Sequence, residues 1–570
     1  MTTTVAATFC ATVVDEWVRA GVTEAFVAPG SRSTPMALAL AANDKIRTLV
    51  FVDERSAAFA ALGHGLAAGR PAVVLCTSGT AAAHFHAAII EADLSSVPLI
   101  ACTADRPAEL WDIGAPQTID QSKLYGPTVR FYAEPGVPDD ATATSWRSVA
   151  SRTVAEAKGW AGRAGPVHLN LSFRDPLVGE PGELPPGRPD GRTWHEVVAA
   201  GAALASSDSQ IAGLVDTMIE QGEARRGVIV AGEGTDSPET VLELAERLGW
   251  PVLADHRSGC RAPGRAVTHF DAMLRSASFA ERAAPELVLR FGEALSSKVL
   301  GEWISASEAE VISVVDRSRW TNPERAAGRV VAAGGVARKL LDALPEPLTA
   351  AHTAERWSKA AAVADQVVDE TLAGLGGPDK LTEIEVARRV INDLPTDGAL
   401  MVSSSMPVRD VEWFGPNRND VTVLANRGAN GIDGVVSTAI GVASTGRPTT
   451  VLIGDVAFVH DSTALVGLAG RDIDLDIVVI DNNGGGIFSF LPQAGQLDHD
   501  VFELLFGTPH HTDIHALAGA HGITATPWPL TPQRKGTGVR LTIAGTERAA
   551  NADVHQTVND AVAAALDDIR

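Results

Sequence analysis

Residues 449–490, TTVLIGDVAFVHDSTALVGLAGRDIDLDIVVIDNNGGGIFSF, constrain the fold more than any other stretch of the chain. A first apolar run, 451–453, stops at Gly454 and Asp455, and a second, 477–480, stops at Asp481, Asn482 and Asn483. Short, continuous, β-branched runs of this kind read as strands of a parallel sheet buried on both faces. A helix-length segment lies between them, so the stretch reads as a βαβ unit. Such a unit brings both strand ends to one sheet edge, where α/β folds bind ligands.

Asp455 and Asn482 are therefore expected to face one ion. A carboxylate and an amide carbonyl are hard oxygen donors, which suit Mg2+ or Mn2+ completed by waters and a diphosphate. The run Gly484, Gly485, Gly486 has no Cβ to hold a phosphate away from the backbone N–H groups. Gly454-Asp455, followed about thirty residues later by Asn482-Asn483, resembles the thiamine diphosphate signature, with Val456 where many members carry a second glycine. The resemblance implies that Asp455, Asn482 and Gly484 hold the metal and that Gly485 and Gly486 border the cofactor. An ordinary βαβ turn with polar strand ends is the competing reading.

The chain has 570 residues, enough for roughly two to four domains, and its 45% hydrophobic and 21% charged residues are a globular composition. A formal charge of -23 argues against a nucleic-acid partner, which requires clustered Lys and Arg. An acidic protein that binds small dianions must concentrate its arginines locally, so individual Arg positions are informative. No apolar run is long enough to span a bilayer, and the first residues lack the basic region of a signal peptide, so a cytoplasmic location without stable membrane insertion is expected. Cys10, Cys76, Cys102 and Cys260 have no metal-ligand spacing and read as buried thiols.

Apolar runs and helix-length segments alternate in three blocks, which predicts an α/β fold of three doubly wound parallel-sheet domains. The first block, 1–180, has strands at 25–28, 48–52, 72–76, 99–102 and 167–171, with helices at 33–42, 56–68 and 81–92 between them. A Pro/Gly-rich segment, 178–192, reads as a linker. The second block, 193–345, has strands at 228–231, 252–254, 287–289, 311–315 and 330–332. Its Gly232-Glu233-Gly234 turn is half of a dinucleotide fingerprint, but Ser237 stands at the third glycine, so a structural turn is favoured in a Rossmann-like spacer domain. A helical connection, 354–375, ends at Gly376-Gly377-Pro378. The third block, 379–570, adds strands at 400–403 and 422–424 and a closing helix at 553–569. Blocks one and three share size and rhythm, which suggests an ancient duplication.

Thiamine diphosphate becomes reactive when a carboxylic acid engages its aminopyrimidine ring. Glu54 follows the apolar strand of the first block, and Val52-Asp53-Glu54-Arg55-Ser56-Ala57 resembles the family's activating-glutamate segment. A helix-start acid favoured by the dipole is the bland alternative. Glu54 and Asp455 lie in different blocks, and in this superfamily the two halves come from different subunits, which implies a homodimer or a dimer of dimers. Ile432 holds the place of the aliphatic side chain that props the bent cofactor.

Further motifs resemble one family: the synthase of 2-succinyl-5-enolpyruvyl-6-hydroxy-3-cyclohexene-1-carboxylate in menaquinone biosynthesis. They are Pro29-Gly30-Ser31-Arg32-Ser33, Ser78-Gly79-Thr80, Thr103-Ala104-Asp105-Arg106-Pro107, Gly114-Ala115-Pro116-Gln117, Ser405-Met406-Pro407-Val408-Arg409, Asn426-Arg427-Gly428 and Gly484-Gly485-Gly486-Ile487-Phe488. The resemblance implies decarboxylation of 2-oxoglutarate and 1,4-addition of the four-carbon carbanion to isochorismate. Both substrates are dicarboxylates, for which Arg offers a planar, permanently charged fork. It also implies donor-side contacts from Ser405, Arg409 and Arg427, and acceptor-side contacts from Ser31, Arg32, Arg106 and Gln117, joined by Lys298. Ile487 and Phe488 would wall the reacting centre against water. Arg55 and Arg130 read equally well as surface ion pairs. Pro116 and Pro407 depart from the family pattern and are expected to alter loop shape.

His510-His511, near His515, lacks a local Cys or carboxylate scaffold, so metal ligation there is not expected. An acetohydroxyacid synthase is the nearest alternative, but it would need a flavin site in the second block. A non-catalytic subunit is the other, and it would have no use for Glu54, Asp455 and Asn482 together.

Overall fold

The computed structural model describes residues 2–197, 208–315, 321–332, 334–376, 380–529 and 538–567. Among them are three fully parallel sheets. The first contains Glu24–Val27, Arg47–Val50, Ala72–Cys76, Leu99–Asp105, Tyr132–Ala133 and Pro166–Ser172, and in order of appearance these lie side by side as 2-1-3-4-6-5. The third contains Ala399–Val402, Thr422–Leu424, Thr449–Gly454, Asp474–Asp481, Ala525–Pro527 and Gly538–Gly545, again in the order 2-1-3-4-6-5. The middle sheet, Gly227–Ala231, Val252–Ala254, Leu287–Phe291, Glu310–Val315 and Ala327–Ala332, runs 2-1-3-4-5. The expected α/β class of doubly wound sheets is what forms.

Successive strand residues point to opposite faces, so each sheet feeds two cores. In the first sheet Phe26, Val74 and Cys76 enter one cluster, and Ala25, Val27, Val73 and Leu75 enter another. The cluster around Phe26 continues into the third domain through Val436, Ala439, Ile440 and Val451. Its centre is the crossing of helix Glu54–Ala68 with helix Val435–Ser444. Small residues permit that crossing: a Cβ on Gly63 would stand 2.0 Å from the Thr438 carbonyl oxygen, and one on Gly441 would stand 1.9 Å from that of Ala60.

Two expected helices are broken. Residues 81–92 form Thr80–Ala83 and His86–Leu94. The Tyr125 hydroxyl donates to Ala82 O at 2.7 Å and occupies the carbonyl that a continuous helix would offer to His86 N. The segment after Asp455 is a short helix, Asp455–His460, followed by the turns Ser462–Leu465 and Leu468–Gly470. Asp461 ends that helix by turning its carboxylate to Ser437, accepting from N at 2.7 Å and from Oγ at 2.9 Å.

The connecting helix is Thr353–Leu375, capped by Gly376, while Gly377 and Pro378 lie outside the described residues. The closing helix is Arg548–Asp567, and the expected end at residues 568–569 lies outside them too. The Pro/Gly segment after Leu177 carries a parallel bridge from Glu180 to Thr3 and one short turn, Pro189–Gly191. All four cysteines are buried and unpaired. No helix among the described residues is long and apolar enough to cross a membrane.

Candidate active site

Strand Thr449–Gly454 pairs in parallel with Asp474–Asp481, with Gly454 beside Ile480, so Asp455 and Asn482 leave the same sheet edge. Asp455 is buried. Its Oδ2 accepts from Asn482 N at 3.1 Å and Gly484 N at 2.9 Å, and its Oδ1 from Val456 N at 2.6 Å. Burial pushes this carboxyl above the usual range, and the Gly484 and Val456 N–H groups oppose the shift. Val456 sits in the first turn of helix Asp455–His460, where no left-handed backbone is needed, so the missing second glycine costs the geometry nothing.

Asn482 donates Nδ2 to Glu383 Oε1 at 2.7 Å, and its Oδ1 is buried without a partner. In its ionised form Glu383 only accepts, and that form selects the amide orientation that leaves Oδ1 available. An orphaned amide oxygen beside a buried carboxylate fits a hard cation such as Mg2+. Burial raises Glu383 itself to about 7. The histidine pair is closer to this chemistry than the sequence indicated. His510 Nε2 lies 3.3 Å from Asp455 Oδ2, and Asp455, Asp481 and His510 present ligand atoms within 4.8 Å of one another. The carboxylates come from two strand ends, which local spacing could not reveal. His511 N donates to Asn483 Oδ1 at 2.8 Å and folds this segment over the strand end.

The glycine run does something other than present N–H groups to a phosphate. Gly484 N is taken by Asp455, Gly485 N by Gly507 O at 2.9 Å, and Gly486 N by Gly484 O at 3.0 Å. The absent side chains instead admit a second segment: a Cβ would stand 2.1 Å from Gly507 O at Gly484 and 2.4 Å from Phe506 O at Gly485. Gly484 also has φ 151°. The π-helical turn Glu503–Gly507 packs here, with Phe506 against Phe488 at 5.4 Å between ring centroids. Ile487 and Phe488 are half-buried.

Glu54 opens helix Glu54–Ala68, and Asp53 caps it by accepting from Arg55 N at 2.9 Å. Asp53 also accepts from Thr463 Oγ1 at 2.8 Å, which seats this turn on the third domain. The half-buried Glu54 side chain has no hydrogen bond among the described residues. Its charge reaches the Cys76 thiol, which burial, and then Glu54, push well up. No hydrogen bond or ion pair among the described residues joins Glu54 to Asp455 or Asn482.

The arginines fall into two groups. Arg32 is buried, donates Nη1 to Phe173 O at 2.9 Å and lies 3.5 Å from Asp175. Burial, and then the charge of Arg32, lower the Arg106 guanidinium. Arg106 also donates to Pro116 O at 3.1 Å. Ser31 is exposed in the same turn. Gln117 is exposed, has φ 57° and is tied to Ser78, receiving Oγ–H at its carbonyl at 2.9 Å and donating Nε2 to Ser78 O at 3.1 Å.

In the third domain Ser405 has φ 76° and ψ -136°, a strained position for a residue with a side chain, of the kind that clusters at functional sites. Arg409 donates Nη1 to Ser405 O. Pro407 falls in the first turn of helix Met406–Phe414, where proline is tolerated, so it does not distort the loop. Burial, then Arg257 and Arg409, lower Arg427 to about 10. Arg427 has no hydrogen bond or ion pair among the described residues, and it lines a cavity of about 1010 Å³ with Arg257, Glu233 and Arg163.

Lys298 stands apart. Its side chain is 88% exposed and pairs with Glu302 at 3.2 Å, and no hydrogen bond or ion pair among the described residues joins it to Arg32 or Arg106. Ile432 is 37% exposed. Arg55 and Arg130 are ion-paired, with Asp53 and Asp93. Glu383 was invisible to sequence reasoning because its partner Asn482 is far away in the chain. The Gly232-Glu233-Gly234 turn packs against the backbone at Gly292 and Glu293, and Arg257 pairs with Glu233.

Comparison with known proteins shows the family. Family models of the thiamine pyrophosphate enzyme N-terminal TPP binding domain, middle domain and C-terminal TPP binding domain match residues 8–124, 204–402 and 413–535. A 2-succinyl-5-enolpyruvyl-6-hydroxy-3-cyclohexene-1-carboxylate synthase of Myxococcus xanthus is 41% identical over 97% of both chains. Proteins of the same name from Thermobifida fusca, 41% identical over 97% of this chain and 98% of the relative, and Chloroflexus aurantiacus, 39% identical over 96% and 94%, are similar throughout. The chain belongs to the thiamine diphosphate-dependent enzymes of the 2-succinyl-5-enolpyruvyl-6-hydroxy-3-cyclohexene-1-carboxylate synthase family.

Proposed function

We propose that the protein joins 2-oxoglutarate to isochorismate with loss of CO2, giving 2-succinyl-5-enolpyruvyl-6-hydroxy-3-cyclohexene-1-carboxylate for menaquinone biosynthesis. The observation that carries this reading is the placement of arginines after strand ends in two different sheets, Arg32 and Arg106 in the first domain and Arg409 and Arg427 in the third, which suits one group to each dicarboxylate. Bound thiamine diphosphate supplies the carbanion chemistry that a decarboxylating addition needs.

The residues divide the remaining work. Asp455, the Asn482 Oδ1 and the Gly484 carbonyl would hold Mg2+ or Mn2+, and Glu54 would hold a proton at the pyrimidine nitrogen. Ile432 would support the bent cofactor, and Ile487 and Phe488 would keep water from the reacting carbon. Arg409 and Arg427, with Ser405, bind the donor's distal carboxylate; Ser31, Arg32, Arg106 and Gln117 bind the acceptor. Lys298 would reach the acceptor only where a partner subunit faces it.

A homodimer, alone or paired, belongs to this reading. Val50 and Val52 beside Glu54, and Leu491, Leu504 and Leu505 beyond Phe488, are exposed apolar side chains suited to burial against a second copy. The pyrimidine-binding, central and diphosphate-binding domains are taken as 1–180, 193–345 and 379–570. A cytoplasmic setting is in keeping with four unpaired cysteines.

The test is a panel of 2-oxo acids and ring acceptors with thiamine diphosphate and Mg2+ supplied. 2-Oxoglutarate alone should release CO2 slowly, and isochorismate should bring fast turnover. Pyruvate as the better donor would overturn the assignment of Arg409 and Arg427.

A further inference from the structure

Arg427 and Ile432 ride on the loop between Asn426 and Asp433, yet the carboxylate that fixes this loop belongs to the first domain. Glu91, on helix His86–Leu94, is 3% exposed. Its Oε1 accepts from Gly428 N and from Ser95 Oγ, both at 2.7 Å, and its Oε2 accepts from Ala429 N at 2.7 Å. Two successive backbone N–H groups on one buried carboxylate form a bidentate, charge-assisted clamp.

The loop lies directly on the helix. A Cβ on Gly428 would stand 2.7 Å from Ser95 Oγ, 2.8 Å from Leu94 Cβ and 2.9 Å from Glu91 Oε1. On the other side of Arg427, Asn426 Nδ2 donates to Thr438 Oγ1 at 3.1 Å. Arg427 thus sits between two anchors and has no side-chain partner of its own among the described residues, so the backbone held by Glu91 fixes the point from which its guanidinium reaches.

We propose that Glu91 is a positioning residue for the donor half of the site: it aims Arg427 at the distal carboxylate of the 2-oxo acid. The inference rests on the donor role given to Arg427 above. An amide at this position would put an NH2 group against one of the two N–H donors and release that end of the loop, without touching Arg32 or Arg106.

The experiment is steady-state kinetics of the holoenzyme with thiamine diphosphate and Mg2+, comparing Glu91→Gln, Glu91→Asp and Arg427→Met. Glu91→Gln should raise KM for 2-oxoglutarate about tenfold or more, with KM for isochorismate and cofactor affinity within about twofold. Glu91→Asp keeps the charge and should lie between wild type and Glu91→Gln. An unchanged donor KM in Glu91→Gln, with a raised one in Arg427→Met, overturns the positioning role and leaves the donor reading intact. An unchanged donor KM in Arg427→Met overturns the donor reading and this inference with it. Loss of fold in both Glu91 variants, or a parallel rise of both KM values, makes Glu91 structural and also overturns the proposal.

Discussion

The first and third sheets share one strand order, 2-1-3-4-6-5, but treat the acid beyond a strand end in opposite ways. Asp455 is buried under three backbone N–H groups from its own domain, which fixes its oxygens in space. Glu54 is half-buried and has no hydrogen bond of its own among the described residues. A carboxylate held rigidly suits a cation; one left unpartnered suits a proton passed to a ligand. On the proposed reading, two copies of one architecture take separate parts of one reaction.

The sharpest way to break that contrast is to remove each acid. Asp455→Ala should abolish Mg2+-dependent cofactor binding, and turnover with it by about a thousandfold or more. Glu54→Gln should cost about a hundredfold to ten-thousandfold in turnover while calorimetric cofactor affinity stays within about threefold. Equal loss of binding in both variants would erase the distinction.

The arginine groups extend the contrast to the substrates. Arg409→Ala should raise KM for 2-oxoglutarate by about ten- to a hundredfold, and Arg106→Ala should do the same for isochorismate, each sparing the other substrate. A shift of both KM values in either variant would mean that the two domains share one anion site.

Much of this was legible in the sequence, because a buried parallel strand is a short apolar run and the residue where it stops is the ligand-bearing end. That rule put Glu54, Asp455 and Asn482 just beyond strand ends, where they lie. It could not show that Glu383 orients Asn482, that His510 joins Asp455 and Asp481, or that Glu91 grips Gly428, since each contact is made across distant chain segments. Nor could it show that Gly484 and Gly485 make room for the carbonyls of Gly507 and Phe506, which come from a later segment of the chain. The break at His84 and Phe85 depended on Tyr125, a tertiary contact that overrides local propensity.

The interface between the two like domains offers a smaller effect. Gly441→Ala forces a Cβ to 1.9 Å from Ala60 O and should destabilise the fold by about 1–3 kcal/mol in denaturant titrations. Gly213→Ala, whose Cβ meets nothing within 4 Å, should be neutral or slightly stabilising. Equal effects would mean that the helix crossing is looser than the contact distances require.

Asp461, which ties the third domain's interface helix to the turn beside Asp53, adds a pH signature. Burial raises its carboxyl from 3.8 to about 7. The folded state therefore holds this proton more tightly than the unfolded chain does. Its contribution is full below about pH 4 and is lost as pH rises through about 7. The stability of wild type relative to Asp461→Asn should fall by about 2–4 kcal/mol from pH 5 to pH 8. A difference independent of pH would place the proton elsewhere.

The division of labour between the two sheets is tested most directly by mixing two inactive chains, Glu54→Gln and Asp455→Ala, and assaying product formation. If the first domain of one copy works with the third domain of its partner, half of the randomly mixed dimers carry one site with both residues intact. Activity should then recover to about a quarter of the wild-type value. No recovery, with mixed dimers demonstrated by mass, would show that both acids serve from the same copy and would contradict the account.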